Sequence, residues 1–223
     1  MPVSDIRTVH VLPKGIRPVH KKYGLWICKF SRKGMGEPLR PEELPFRYFE
    51  FYDLSHLFDG KGWYCSSNGI IRKVEKGDGI LVTPGTRHKY AGDKEPFIED
   101  TISFCGSLAD HLYNTGIIRN GIIKIGSVRR LLSIIDLVQD NSDISQIKAN
   151  LALQNLLVEL FLENKKNITM PGGSPLEDLL CEIKKHPDKI WDVEMMADFC
   201  NLSLSQFKRV FIKRTGLPPQ KLC

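Results

Sequence analysis

Two patterns of apolar residues divide the chain, and the first covers roughly its first hundred residues. Short runs rich in aromatic and β-branched residues alternate there with glycine and proline, and no helical segment lies between them. This spacing predicts an antiparallel barrel or jelly roll rather than a βαβ fold. The candidate strands are YGLWICKF, RYFEFYDLSHLF, GWYCSS, GIIRKV, GILVTP and FIEDTISF.

From Ser127 onward the apolar residues recur at helical spacing. Ser127 is a candidate N-cap for a first helix, and Asp143 or Ser145 is one for a longer second helix. The link of two residues, 141–142, makes the pair antiparallel. The second helix is apolar on two sides and therefore has two surfaces to bury. One stripe contains Ile144, Ile147, Leu151 and Val158, and the other contains Ala149, Leu153, Leu156 and Leu160.

This second helix is also the candidate dimerisation element. One surface can pack on the rest of the chain and the other on the same helix of a second subunit, because a two-fold dimer needs a self-complementary surface. A helix covered entirely within one subunit is the alternative. We expect a homodimer, with an interface formed by Ile147, Leu151, Leu153, Leu156, Val158 and Leu160.

A small helical domain is expected at the C-terminal end. Residues 169–175 are rich in proline and glycine, which favours a linker. Three helical segments follow it, with Ser174, Asp192 and Ser203 as their N-caps. Gly216 comes directly after the third helix, as is typical of a helix C-terminus.

The third of these helices is apolar on one side and basic on the other. Phe207, Val210 and Phe211 are expected to be buried, and no acidic residue occurs from Leu202 to the end of the chain. A tight turn at Asn201 followed by a one-sided basic helix is typical of a protein that reads the DNA major groove. A helix pair of an unrelated fold, with its basic face in solvent, is the alternative.

The turn and third helix carry a recognisable set of residues: Ala197, Leu202-Ser203, Phe207, Arg209, Phe211, Lys213 and Thr215-Gly216. This set resembles the first helix-turn-helix of the AraC/XylS family of transcription regulators, from which Asn201 departs by replacing a glycine and Phe207 by replacing a leucine. The resemblance implies binding to double-stranded promoter DNA. The implied DNA-binding residues are Ser203, Ser205, Gln206, Lys208, Arg209 and Lys213. The family's second helix-turn-helix does not follow, so we expect an incomplete DNA-binding region.

A second resemblance lies at residues 77–90, where a candidate strand is followed by the turn Pro84-Gly85-Thr86-Arg87-His88. The stretch resembles the second cupin motif found in sensor domains of the same family, and the two resemblances follow the family's order. In the strand Phe97 to Phe104, alternation places Glu99, Thr101 and Ser103 on one polar face. Polar residues inside a barrel need partners, which a sugar or a similar small polar effector would supply. The expected ligand-binding residues are Trp26, Arg47, Tyr52, His56, His88, Tyr90, Glu99 and Thr101.

A metal centre is not expected around His88. A metal-dependent cupin enzyme needs an H-x-H and a glutamate from an earlier strand, and the equivalent hairpin offers only His56. The scattered cysteines form no C-x-x-C pair. We therefore expect no metal, no cofactor and no enzymatic activity. The alternatives are a cupin-type enzyme acting on a sugar, and a sugar-binding protein without a DNA function.

Composition and charge agree with a two-domain regulator. The 223 residues carry a formal net charge of +6, which permits a polyanionic partner, and no apolar run has the length of a signal peptide or membrane span. We expect a cytoplasmic α+β protein that acts as a ligand-responsive DNA-binding transcriptional regulator. Its expected parts are a cupin-like sensing barrel (1–126), an antiparallel helix pair for dimerisation (127–168), a linker (169–175) and an all-α helix-turn-helix subdomain (176–223).

Overall fold

A computed structural model describes most of the chain. The described residues are 9–11, 17–66, 69–168, 176, 179–180, 182–183, 190–200 and 202–221. The predicted linker, the N-cap Ser174 and the turn residue Asn201 lie outside them. The side chain of Lys213 also lies outside the described part of the chain.

The first part of the chain folds into antiparallel strands, as predicted. They are β1 (Val9–Val11), β2 (Trp26–Gly36), β3 (Tyr52–Asp59), β4 (Lys61–Ser66), β5 (Ile71–Glu75), β6 (Asp78–Val82), β7 (His88–Gly92), β8 (Phe97–Cys105) and β9 (Gly121–Lys124). The larger sheet has the order β1-β2-β8-β3-β6-β9, and the smaller has the order β5-β4-β7. Every pairing between these strands is antiparallel.

The two sheets pack on each other but do not form the closed barrel that the sequence predicted. Leu57 and Ile80 of the larger sheet meet Tyr64 and Val74 of the smaller one in a shared apolar cluster. In the described residues each sheet keeps its own edge strands, and only isolated backbone pairings in the segment between β2 and β3 reach the smaller sheet. The observed fold is therefore a two-sheet sandwich with one side partly bridged.

The helices before residue 169 cover the outer face of the larger sheet, and the last two belong to a C-terminal unit with its own core. The helices are α1 (Pro18–Tyr23), α2 (Ser107–Asn114), α3 (Leu132–Gln139), α4 (Asp143–Ile168), α5 (Val193–Phe199) and α6 (Leu204–Thr215), with 3-10 turns at Pro41–Glu43 and Pro219–Lys221. Ile102 and Phe104 of β8 share one core cluster with Ile135 of α3 and Leu153 of α4. None of the helices in the described ranges is long and apolar enough to cross a membrane.

Neither α3 nor α4 has the N-cap that the sequence predicted. Asp143 is the first helical residue of α4, and the cap is Ser142, whose hydroxyl accepts a hydrogen bond of 3.2 Å from the backbone of Ser145. α3 begins at Leu132, five residues after the predicted cap Ser127.

The residues between Ser127 and Leu132 are irregular because Arg129 reaches back to the sheet. Its guanidinium donates two hydrogen bonds, of 2.7 and 2.8 Å, to the fully buried carboxylate of Asp100.

The two apolar stripes of α4 have different environments. Ala149, Leu153, Leu156 and Leu160 are buried in the core of the chain itself. On the other stripe Leu151 is 57% exposed and Ile147 40% exposed, and Val158 is half-buried. Of the expected dimer contacts, Leu153, Leu156 and Leu160 therefore belong to the core of the subunit, because they face the sheet and α3.

The C-terminal helices have the predicted caps. The side chain of Asp192 accepts from the backbone of Met195, and Ser203 forms a capping box with Gln206 at the start of α6. Gly216 adopts the left-handed conformation that ends α6, with a φ of 74°. This unit has its own apolar cluster, formed by Leu176, Leu179, Trp191, Met196, Ala197, Cys200, Phe207 and Phe211.

One expectation for this unit is wrong, since Val210 is 39% exposed. Phe207 and Phe211 are spaced by one helical turn and fill the core together, with ring centroids 5.3 Å apart. Val210 is rotated away from that line.

Candidate functional site

A cavity of about 440 Å³ lies between the two sheets. Strands β2, β3, β7 and β8 and the segment before β3 form its walls. The lining residues are Lys29, Ser31, Gly34, Met35, Gly36, Glu37, Leu39, Leu44, Arg47, Phe49, Phe51, Asp53, Tyr90, Ala91, Phe97, Glu99 and Thr101.

The polar part of this cavity comes mainly from the inner face of β8. Glu99 and Thr101 point into the cavity, while Ile102 and Phe104 pack against the helices on the other side of the sheet. This division follows from the two-residue period of a strand and is the one that the sequence predicted.

Hydrogen bonds order the buried end of the cavity. The hydroxyls of Ser31 and Thr101 share a hydrogen bond of 2.6 Å across the β2-β8 pairing. Asp53 accepts a hydrogen bond of 2.6 Å from Ser103 and a longer one of 3.5 Å from Ser55. These contacts hold the polar groups in place and leave part of their hydrogen-bonding capacity for a ligand.

Burial raises the pKa values of both acids of the cavity, Asp53 and Glu99. Burial, followed by the nearby Asp53 carboxylate, raises the pKa of Glu99 to about 8. Its Oε2 atom is buried and has no hydrogen-bond partner among the described residues. At neutral pH Glu99 is therefore mostly protonated and can donate a hydrogen bond as well as accept one.

Cations and aromatic rings lie toward the opening of the cavity. Arg47 and Lys29 are exposed. The Arg47 guanidinium carbon is 4.8 Å from the centroid of the Tyr90 ring and 5.3 Å from that of Phe49. These distances are typical of cation–π contacts, so Arg47 is positioned by the rings that also line the site.

His88 lies behind the cavity wall rather than in it. The P-G-x-x-H turn connects β6 to β7 as expected, and His88 is the first residue of β7. Its Nδ1 donates a hydrogen bond of 2.9 Å to the carbonyl of Thr86, and its ring contacts Phe49 edge-on with centroids 4.7 Å apart. Burial lowers the pKa of His88 to about 4, so the ring is neutral at neutral pH.

Of the predicted ligand-binding residues, Arg47, Tyr90, Glu99 and Thr101 line this cavity, and Trp26, Tyr52, His56 and His88 do not. Tyr52 and His56 alternate with Asp53 along β3 and therefore face the opposite side of the sheet. There Tyr52 donates a hydrogen bond of 2.9 Å to Asp110, and His56 donates one of 2.8 Å to the carbonyl of Gly126.

Trp26 is absent from the lining because it begins β2, beyond the end of the cavity. Sequence reasoning missed several lining residues. The signal for those before and within β3 was present in the alternation of that segment, since the odd-numbered residues from Arg47 to Asp53 all line the cavity. The missed residues include Ser31, Phe49, Phe51 and Asp53.

Within the described ranges, no three histidine, cysteine, aspartate or glutamate side chains come together as a group that could hold a metal ion.

The second feature of interest is the surface of α6. Ser205 and Arg209 are exposed, and Lys208 is half-buried. Ser203 and Gln206 are engaged in the capping box, with hydrogen bonds of 3.4 Å in both directions. The predicted DNA-binding residues with described side chains thus fall into a solvent-facing group and a group that holds the helix start.

The C-terminal unit contacts the smaller sheet. Arg72 of β5 donates a hydrogen bond of 3.4 Å to the carbonyl of Phe199, and its guanidinium carbon lies 5.7 Å from the Phe199 ring centroid. Arg72 pairs with Tyr64 across the sheet, and Tyr64 pairs with Tyr90. One row of the smaller sheet therefore connects the cavity to the end of α5.

No family model matches the chain. No curated protein matches it either. Among solved structures, YhaK from Escherichia coli is similar over 46% of this chain and 46% of its own, with 14% identity and a TM-score of 0.35. The chain thus spans about half the length of YhaK. NMB1881 from Neisseria meningitidis is similar over 46% of this chain and 87% of its own, with 9% identity and a TM-score of 0.30.

A variant of oxalate decarboxylase from Bacillus subtilis is also similar, over 37% of this chain and 21% of its own, with 15% identity and a TM-score of 0.26. The expectation that the chain is not an enzyme is therefore wrong as an exclusion, because an enzyme is among the similar structures.

The raised pKa of Glu99 predicts a pH-dependent stability. Glu99 holds its proton more tightly in the folded chain, so its favourable contribution is complete below about pH 4.5 and is lost as the pH rises through about 8. From about pH 5 to about pH 8, the wild-type free energy of unfolding should fall by up to ~1.4 kcal/mol per pH unit more than that of Glu99→Gln, and above about pH 9 the two should change in parallel. Urea unfolding at each pH measures the difference.

Glu95→Gln, at an exposed position, is the matched control and should follow the wild type. An equal change in the free energy of unfolding with pH for the wild type and Glu99→Gln would contradict the assignment of Glu99 as a buried, neutral carboxyl.

Proposed function

We propose that this chain is a ligand-responsive DNA-binding transcription regulator, with a cupin-like sheet domain that binds a sugar or a similar small polar effector. The proposal depends on one observation above all. A helix that begins at a capping box exposes Ser205 and Arg209 and leaves Lys208 half-buried beside them, with no acidic residue from Leu202 onward. The resemblance to AraC/XylS regulators supports the same assignment.

The chemistry of α6 suits an approach to a duplex. Lysine and arginine bind phosphates, while short polar side chains near the start of a recognition helix reach base edges. Arg209 and Ser205 would approach the DNA directly. Ser203 and Gln206 would keep the N-terminus of the helix ordered, and Lys208 would contact the backbone.

DNA binding is tested by fluorescence anisotropy with promoter fragments next to the protein's own gene, over a series of salt concentrations. Lys208→Ala and Arg209→Ala should each weaken binding by about tenfold, and each should reduce the salt slope by about one. Each variant removes one cation from the proposed interface. Lys94→Ala removes an exposed cation from the sheet domain and is the control. The absence of DNA binding at low salt would refute this part of the proposal. An equal loss of DNA affinity in Lys208→Ala, Arg209→Ala and Lys94→Ala would refute it as well.

The cavity fits a small, polyhydroxylated ligand. Its volume lies within the usual range for small-molecule sites. Protonated Glu99 supplies a donor, Asp53 supplies acceptors, and Ser31 and Thr101 supply both. The ring of Phe49 provides an apolar wall of the kind on which sugar faces pack.

Effector binding is tested by thermal shift with panels of neutral sugars, amino sugars and sugar acids. A neutral sugar should raise the melting temperature of the wild type by mass action and should do so less for Thr101→Val, which lacks a cavity hydroxyl. Thr115→Val removes a hydroxyl at a distance from the cavity and should respond as the wild type does. A rise in melting temperature with sugar acids alone would indicate an anionic effector. No rise with any panel would contradict the sugar proposal.

A cupin-type enzyme is the second candidate, and the state of Glu99 is the observation that favours it. A buried carboxyl with a pKa of about 8 is a candidate general acid. Any sugar that binds in the thermal-shift screen is therefore examined for chemical change. Conversion that Glu99→Gln abolishes while binding remains would favour the enzyme, and unchanged sugar would favour the sensor.

Ligand and DNA would be coupled through the smaller sheet. Tyr90 in the cavity, Tyr64 and Arg72 occupy one row of paired residues, and Arg72 contacts Phe199 at the end of α5. Gln206 of α6 also lies against Gly116, so close that a side chain at that glycine would overlap it. An effector that bound one arrangement of the sheet domain and the C-terminal unit more tightly than another would shift the position of α6.

The exposed stripe of α4 is the proposed dimer interface. Ile144, Ile147 and Leu151 are spaced by three and four residues, and the half-buried Val158 continues the line. This spacing is typical of a coiled-coil seam, and the same stripe on a second subunit is self-complementary. Ile147, Leu151 and Val158 are thus the members of the predicted interface that remain available to a partner.

Sedimentation velocity tests the dimer. The wild type should sediment as a dimer and Leu151→Glu as a monomer, because a charge at the centre of the seam would have to be buried. Ile71→Glu places the same charge at a similarly exposed apolar position on β5 and should remain dimeric. A monomeric wild type at every concentration would contradict the proposed interface.

A further inference from the structure

Two cysteines on neighbouring strands lie side by side at the end of the cavity. Their Sγ atoms are 3.7 Å apart, and both residues are partly exposed, whereas Cys65 and Cys200 are buried. We propose that Cys28 and Cys105 are a redox modification site that forms a reversible intramolecular disulfide when the protein reacts with a peroxide.

The backbone geometry favours this bond. In the pairing of β2 with β8, Trp26 lies opposite Cys105 and Ile27 opposite Phe104, while Cys28 falls in the register shift between Ile27 and Lys29. A β-bulge bends its strand and redirects a side chain toward the neighbouring strand. The sulfurs must approach from 3.7 Å to a bonded distance of about 2.05 Å.

The two thiols differ in reactivity. The hydrogen bond with Cys28 lowers the pKa of Cys105, and the same contact, together with burial, raises the pKa of Cys28. Cys105 is therefore the sulfur that ionises first and attacks the oxidant, because the thiolate is the nucleophilic form. Cys28 stays protonated and acts as the resolving thiol.

The reaction balances with hydrogen peroxide as the oxidant. The Cys105 thiolate attacks one oxygen, the O–O bond breaks, and hydroxide leaves, which gives a sulfenic acid on Cys105. Cys28 then attacks that sulfur, the S–O bond breaks, and the hydroxide takes the proton of Cys28 to leave as water. In total the two thiols lose two hydrogen atoms, and the peroxide is reduced to two molecules of water.

The bond would link two neighbouring strands that both contribute to the cavity. Cys28 is next to Lys29 on β2, Cys105 lies four residues after Thr101 on β8, and Lys29 and Thr101 line the cavity. A cross-link between residues 77 positions apart also restricts the unfolded chain. Oxidation should therefore raise the melting temperature. It would also fix the start of β2 to the end of β8.

The test uses the full chain, treated with increasing hydrogen peroxide and then digested with trypsin under non-reducing conditions. Peptides 23–29 and 95–119 each contain one of the two cysteines. They should appear as one linked species, lighter by two hydrogen atoms than their sum, and dithiothreitol should release them. The linked species and the rise in melting temperature should be absent from Cys28→Ser and present in Cys65→Ala, the matched control.

Two outcomes would overturn the inference. One is a peroxide series in which both peptides remain unlinked while Cys105 is converted directly to sulfinic or sulfonic acid. The other is a Cys105 linked to a different cysteine while Cys28 stays reduced. The wild-type peptide map gives these results even if a variant fails to fold, and it does not depend on DNA or effector binding.

Discussion

The structure depends on strand β8, which lies inside the larger sheet and is buried on both faces. Its alternating side chains must satisfy two environments. Ile102 and Phe104 pack against the helical layer, while Glu99 and Thr101 enter the space between the sheets. A shift of one residue would exchange these faces and place charged groups in the apolar core, so the pairing of β8 with β2 and β3 is strongly specified.

The polar face of β8 also determines the chemical character of the cavity. Two carboxyls within one enclosed site cannot both be charged at low cost, and burial next to Asp53 keeps Glu99 mostly neutral at neutral pH. The exposed cations at the opening, Lys29 and Arg47, then face an interior with little opposing charge.

Sequence reasoning was most successful where the determining interactions are local. The cap residues Asp192, Ser203 and Gly216 were identified because helix ends are specified within a few residues. It failed at Ser127, because the conformation of the following residues is set by the contact of Arg129 with Asp100, which lies 29 positions earlier. Half of the expected ligand-binding residues do not line the cavity, because Tyr52 and His56 face the other side of β3, Trp26 lies beyond the end of the cavity and His88 lies behind its wall.

By itself the sequence determined the kind of structure in each segment, because the period of apolar residues and the chemistry of caps and turns act over short distances. Only the tertiary structure decided that the sheets form an open sandwich, which stripe of α4 is covered, and which polar groups share a cavity. It also placed Cys28 beside Cys105, 77 positions away. The physical reason is that strand register and bulges bring distant residues together, and these depend on the packing of the whole sheet.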